Sequence, residues 1–166
     1  MVYIVANWKM NKDSKQSKSL MNEIVCFDFY DSSKINVIIS PPTIYLSQLK
    51  NRRSDLAAQN ISNYSNGPYT GEISSKMVSE YVSYVIIGHS ERRQLFCETD
   101  EIISEKINQC NNENLKSIVC FGESIETRNK SHHLDFIRKQ LDNIINSYDK
   151  SNIKNLILAY EPVWAI

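Results

Sequence analysis

Six short apolar runs, each followed by a polar cluster and then a stretch with helical spacing, constrain this chain more than any other feature. The runs cover residues 3–6, 35–39, 56–58, 84–88, 117–121 and 156–161. Apolar runs this short read as strands buried on both faces, as in a parallel sheet. The stretches between them repeat apolar residues every three or four positions. Leu20, Ile24 and Phe27 share one face, as do Ile103, Ile107 and Cys110. Leu134, Ile137, Leu141, Ile144 and Tyr148 form a longer stripe over residues 131–148. Ser14 or Ser17, Thr43 and Asp100 are the expected helix caps. Thr43 opens a short helix carrying Ile44, Leu46 and Leu49, and another short helix is expected over residues 77–82. Strand–helix alternation implies right-handed crossovers and a parallel sheet. Two architectures compete, a doubly wound open sheet and a barrel of eight such units. No glycine-rich phosphate fingerprint follows the first strand, which weakens the dinucleotide-binding version.

The length of 166 residues suits one domain, taken as residues 1–166. Lys plus Arg and Asp plus Glu both total 19, so charge makes no case for nucleic acid or an anionic membrane. The basic runs at residues 50–53 and at Arg92-Arg93 read as solvated faces. No apolar run approaches the ~20 residues of a membrane span. The N-terminus enters a strand without the shape of a signal peptide, so cytoplasm is expected. Cys26, Cys97, Cys110 and Cys120 form no CxxC pair and no metal-ligand spacing with His. Cys26, Cys110 and Cys120 sit in apolar stretches and read as small buried hydrophobes in a reducing compartment. The long polar loop over residues 61–74 is of a length that is usually functional or disordered.

Polar residues collect where the strands end. They are Asn7 and Lys9, Gln59 and Asn60, His89 and Glu91, Cys120 and Glu123, and Glu161. In parallel α/β folds, ligands bind at this end of the sheet. Taken singly, each has a plain reading: Glu161 solvates a strand end, His89 is a satisfied structural histidine, and Lys9 is one more solvated lysine. Together they describe a chemistry. Lys9 offers a point charge for an anionic substrate. A histidine opening a helix is disfavoured as imidazolium by the positive helix end. It can then donate a hydrogen bond to a carbonyl that is gaining charge. A carboxylate opposite can remove a proton from carbon, giving an enediol-like intermediate. Cys120 reads as packing, because nothing near it in sequence activates a thiol. Glu123 reads as a helix-start residue, and His132-His133 as helix-surface residues.

Five strings, in order and correctly spaced, resemble triosephosphate isomerase. They are Asn7-Trp8-Lys9-Met10-Asn11, Gly67-Pro68-Tyr69-Thr70-Gly71-Glu72, Gly88-His89-Ser90-Glu91-Arg92-Arg93, Cys120-Phe121-Gly122-Glu123 and Ala159-Tyr160-Glu161-Pro162-Val163-Trp164-Ala165-Ile166. The resemblance implies an α/β fold of the (β/α)8 barrel type, here incomplete with about six βα units. It also implies interconversion of dihydroxyacetone phosphate and glyceraldehyde 3-phosphate, without cofactor or metal. Glu161 is then the base and His89 the electrophile. Asn7 and Lys9 bind substrate, and Glu91, Ser90 and Cys120 support them. The resemblance further implies a homodimer, in which Thr70 reaches the partner's site and Glu72 pairs with the partner's Arg92 or Arg93. Pro68 and Phe121 depart from the usual family residues without affecting the chemistry.

An eight-unit barrel runs to about 250 residues. These 166 residues reach only the start of the segment that, in the family, hinges a lid over the substrate. By themselves they are expected to be unstable or aggregating and scarcely active; turnover within about tenfold of a full-length relative would refute that. Two other readings stand beside the isomerase: an inactive barrel fragment serving as a binding or assembly partner, and another barrel enzyme handling a phosphorylated sugar.

Overall fold

The computed structural model describes residues 1–26, 33–49, 54–148 and 150–166. Phe27 and the basic run at residues 50–53 lie outside the described residues. Among the described residues, six strands form one sheet in the order of the chain: β1 (Val2–Asn7), β2 (Ile35–Ser40), β3 (Asp55–Ala58), β4 (Tyr84–Ile87), β5 (Lys116–Phe121) and β6 (Leu156–Tyr160). Every neighbouring pair is parallel. A doubly wound sheet reverses its strand order at a switch point. Here the order never reverses, so the chain winds in one sense, as an incomplete (β/α)8 barrel does. In register, Asn7 pairs with Ser40 and Phe121 with Tyr160, which aligns the C-terminal strand ends.

Helices cover one face of the sheet. The long ones are α1 (Ser14–Cys26), α5 (Asp100–Asn112) and α7 (His133–Asn146). The short ones are α2 (Leu46–Leu49), α3 (Ser75–Ser79), α4 (Ser90–Leu95) and α6 (Ile125–Asn129). Side chains alternate along each strand, so the buried residues fall into two layers. Ile39, Ala58, Val85, Ile87 and Val119 face outward and pack with Met21, Leu46, Ile103, Ile107 and Ile144 from the helices. Ile38, Ala57, Tyr84, Ile86, Ile118 and Cys120 face the concave side. This two-sided burial is why the strands read as continuous apolar runs. Among the described residues, no helix is long and apolar enough to cross a membrane.

Several local expectations need correction. The first helix is capped by Asp13, not by Ser14 or Ser17. Asp13 Oδ1 accepts from the Gln16 amide at 2.8 Å, and Gln16 Oε1 accepts from the Asp13 amide at 3.0 Å, a reciprocal capping box. Thr99, not Asp100, caps α5, its hydroxyl accepting from Ile102 N. Asp100 is engaged elsewhere. Thr43 makes no side-chain cap. The short helix α3 covers Ser75–Ser79 rather than residues 77–82, because the Ser74 hydroxyl caps it, accepting from Met77 N. Ile44 and Leu134 point to solvent at 72% and 69% exposure, and Gln140 takes a buried place on α7 instead. Cys26 is exposed, unlike Cys110 and Cys120.

Candidate active site

The strand ends converge on a cleft of about 540 Å³ lined by Asn7, Lys9, His89, Cys120 and Glu161, with Ile86, Ile118, Ile157 and Ala159 as its apolar floor. Asn7 ends β1, and its Oδ1 accepts from the Lys9 amide at 3.0 Å. That bond accompanies a left-handed Lys9 backbone, φ +53°. Gln59, at the end of β3, donates to the carbonyls of Lys9 (2.9 Å) and Ser40 (3.0 Å), holding the same turn from behind. The Lys9 ammonium meets Glu91 Oε1 at 2.6 Å. That hydrogen bond holds the Glu91 carboxyl below its ordinary range despite partial burial.

His89 is the N-cap of α4 and is buried. Its Nδ1 accepts from the Glu91 amide at 3.2 Å. A nitrogen that accepts has its lone pair free, so the ring proton sits on Nε2. Nε2 lies 3.4 Å from Glu161 Oε1. The other carboxylate oxygen, Oε2, accepts from the Ser90 amide at 3.4 Å. Lys9, Glu91, His89, Ser90 and Glu161 therefore form one connected rim. Cys120 lies beneath it. Burial pushes its thiol well up, and the Glu161 carboxylate adds to this, so it is no nucleophile at neutral pH.

Glu123 is not a mere helix-start residue. It is fully buried and gathers the segment after β6. Tyr160 Oη donates to it at 2.9 Å, Trp164 Nε1 at 3.0 Å and Arg128 Nη1 at 2.9 Å. Burial opposes the charge, but the hydrogen bonds from Trp164, Arg128, its own backbone and Tyr160 win, and bring its carboxyl down to about 2. The chain on either side is pinned as well. Glu161 N donates to Phe121 O at 2.7 Å, and Val163 N to Glu123 O at 3.0 Å. Sequence reasoning missed Tyr160, Trp164 and Arg128 as partners. The spacing of Glu123 and Arg128 was the one local signal.

The loop over residues 61–74 is buried at its ends, at Ile61, Ser62 and Ser74, and exposed in its middle, with Tyr64 and Tyr69 stacked at 4.0 Å between ring centroids. Thr70 and Glu72 are exposed on it. Arg92 and Arg93 are both engaged within the chain, Arg92 with Glu98 and Arg93 with Asp100.

Compared with known proteins, residues 2–166 match the family model described as triosephosphate isomerase. The triosephosphate isomerase of Alkaliphilus oremlandii is 44% identical over 168 residues, covering 98% of this chain and 67% of that protein. That of Flavobacterium psychrophilum is 41% identical with the same coverage. That of Ruthia magnifica subsp. Calyptogena magnifica is 37% identical, covering 99% of this chain and 68% of that protein. These 166 residues thus span about two thirds of the length of the relatives they match. The chain belongs to the triosephosphate isomerase family of enzymes.

Proposed function

We propose that this chain interconverts dihydroxyacetone phosphate and D-glyceraldehyde 3-phosphate by moving a proton between adjacent carbons through an enediolate. The observation that carries the reading is the approach of His89 Nε2 to Glu161 Oε1, 3.4 Å, at the rim of a cleft that also holds Lys9. Glu161 removes the proton from carbon and returns it to the neighbouring one. His89 presents Nε2–H to the carbonyl oxygen as negative charge develops there. Lys9 supplies positive charge toward the phosphate and the developing oxyanion, and Asn7 holds the turn that presents it. Glu91 keeps the ammonium in place when no substrate is bound. Ser90 and Cys120 support the rim from below. No cofactor enters the scheme, which transfers only protons.

The same reading treats residues 1–166 as one barrel unit working in the cytoplasm as a homodimer. In that dimer the exposed loop with Thr70 and Glu72 enters the partner's cleft. The half-buried Arg92 is the better placed of the two arginines to meet it.

The test is to supply dihydroxyacetone phosphate and follow glyceraldehyde 3-phosphate with the unsubstituted chain, Glu161→Gln and His89→Gln. Each substitution is expected to lower turnover about 10²–10⁴-fold with the fold intact by circular dichroism. Turnover indifferent to both would remove these residues from the chemistry.

A further inference from the structure

Arg93 sits outside the cleft, yet its guanidinium grips the ends of both strands behind it. Nε donates to the Gly88 carbonyl at 2.9 Å, the carbonyl immediately before His89. Nη2 donates to the Cys120 carbonyl at 3.2 Å, at the end of β5. Nη1 pairs with Asp100 Oδ1 at 2.7 Å, and the other Asp100 oxygen accepts from Asn143 on α7 at 2.9 Å. The Arg93 side chain is only 18% exposed. Gly88 leaves room for it: φ is +68°, and a Cβ there would lie 3.1 Å from Arg93 Nη2.

We infer that Arg93 is a positioning residue for the reaction, fixing His89 against Glu161 by tying the end of β4 to the end of β5. The inference rests on the functional reading above. The path is short on both sides. Gly88 O lies one peptide before the imidazole-bearing residue. Cys120 O lies one peptide before Phe121 O, which receives the Glu161 amide at 2.7 Å. One planar cation thus ties the peptide before His89 to the end of the strand whose next carbonyl receives the Glu161 amide. A guanidinium can bind two carbonyls and a carboxylate in fixed directions at once, whereas an ammonium is a point charge without that fork. The Asp100–Asn143 bond anchors the fork to α5 and α7, so it cannot swing away without disturbing both helices. Small displacements of a reacting pair cost rate far more than binding.

The experiment compares the unsubstituted chain with Arg93→Lys and Arg93→Ala, using ¹⁵N-labelled histidine. The chain has three histidines. The His89 resonances are assigned by their loss in His89→Gln, and His132 and His133 serve as internal references. In the unsubstituted chain His89 should show an accepting Nδ1 and a protonated Nε2. Arg93→Lys keeps the charge beside Asp100 but loses the fork. It is expected to move His89 toward a tautomer mixture while leaving His132 and His133 unmoved, and to lower kcat about 10–100-fold with KM within about twofold. A folded Arg93→Lys with unchanged His89 resonances and unchanged kcat would overturn the inference, whether or not Arg93→Ala folds. Failure of the isomerase reading looks different: turnover would be indifferent to Glu161→Gln, while the His89 resonances would still report on the clamp.

Discussion

Cys97 holds its backbone at φ +54°, a region that suits glycine and strains a residue with a Cβ. It lies between the exposed Phe96 and the buried Glu98. Relief of the strain outweighs the extra freedom that glycine gives the unfolded chain. Cys97→Gly is therefore expected to stabilise the fold by about 0.5–1 kcal/mol, read as a rise in the urea midpoint at constant slope. A drop in the midpoint would refute it. Glu123 makes the opposite case, a residue whose charge the fold needs. Its carboxyl falls from an ordinary 4.5 to about 2 in the fold. A group depressed on folding contributes its full stability above its unfolded value and loses it as pH falls through the folded value. Its contribution should therefore be complete above about 4.5 and fade toward about 2. Glu123→Gln should lower stability near neutrality and flatten this acid limb, measured by urea unfolding from pH 7 downward. An unchanged difference between the two proteins across that range would show that the charge is not what matters.

At the scale of elements, the close approach of two connections sets the site. A Cβ at Gly122 would lie 2.0 Å from the Glu161 carbonyl oxygen, so the loop after β5 must carry glycine there for the segment after β6 to pass. Gly122→Ala is expected to cost about 1–3 kcal/mol and to lower turnover, because the intruding methyl displaces Glu161, the base of the proposed reaction. Unchanged stability and kcat would mean that the loop yields freely. The strands were legible in the sequence because burial on both faces leaves uninterrupted apolar runs. For the same reason their inward and outward sides were not, since a doubly buried strand has no period of two. Caps were misread where a stronger partner lay next door: Asp13 with Gln16 at α1, and Thr99 ahead of Asp100 at α5. Asp100 was free to bind Arg93 because Thr99 had taken the cap. His89, Glu161 and Lys9 were legible as a set. Glu123 was not, because two of the three side chains that hold it, Tyr160 and Trp164, are 37 and 41 residues away in sequence.

At the scale of the whole molecule, six parallel units wound in one sense bring an ammonium, an imidazole and a carboxylate to one rim. Residues on the two outer strands remain exposed, with Val2 at 58% and Ile4 at 49% on β1 and Leu158 at 45% on β6. The site lies between these strands, so its floor is formed by the inner layer rather than by the helices. In the proposed reaction Glu161 is the group that meets the substrate carbon. Hydrogen exchange at that carbon is the most direct measurement, because it reports proton removal even when net turnover is slow. Dihydroxyacetone phosphate incubated with the chain in deuterium oxide should take up deuterium at the carbon bearing the hydroxyl. With Glu161→Gln, exchange should fall about 10²–10⁴-fold. Equal exchange in the two proteins, at a rate above that of the buffer, would contradict the account.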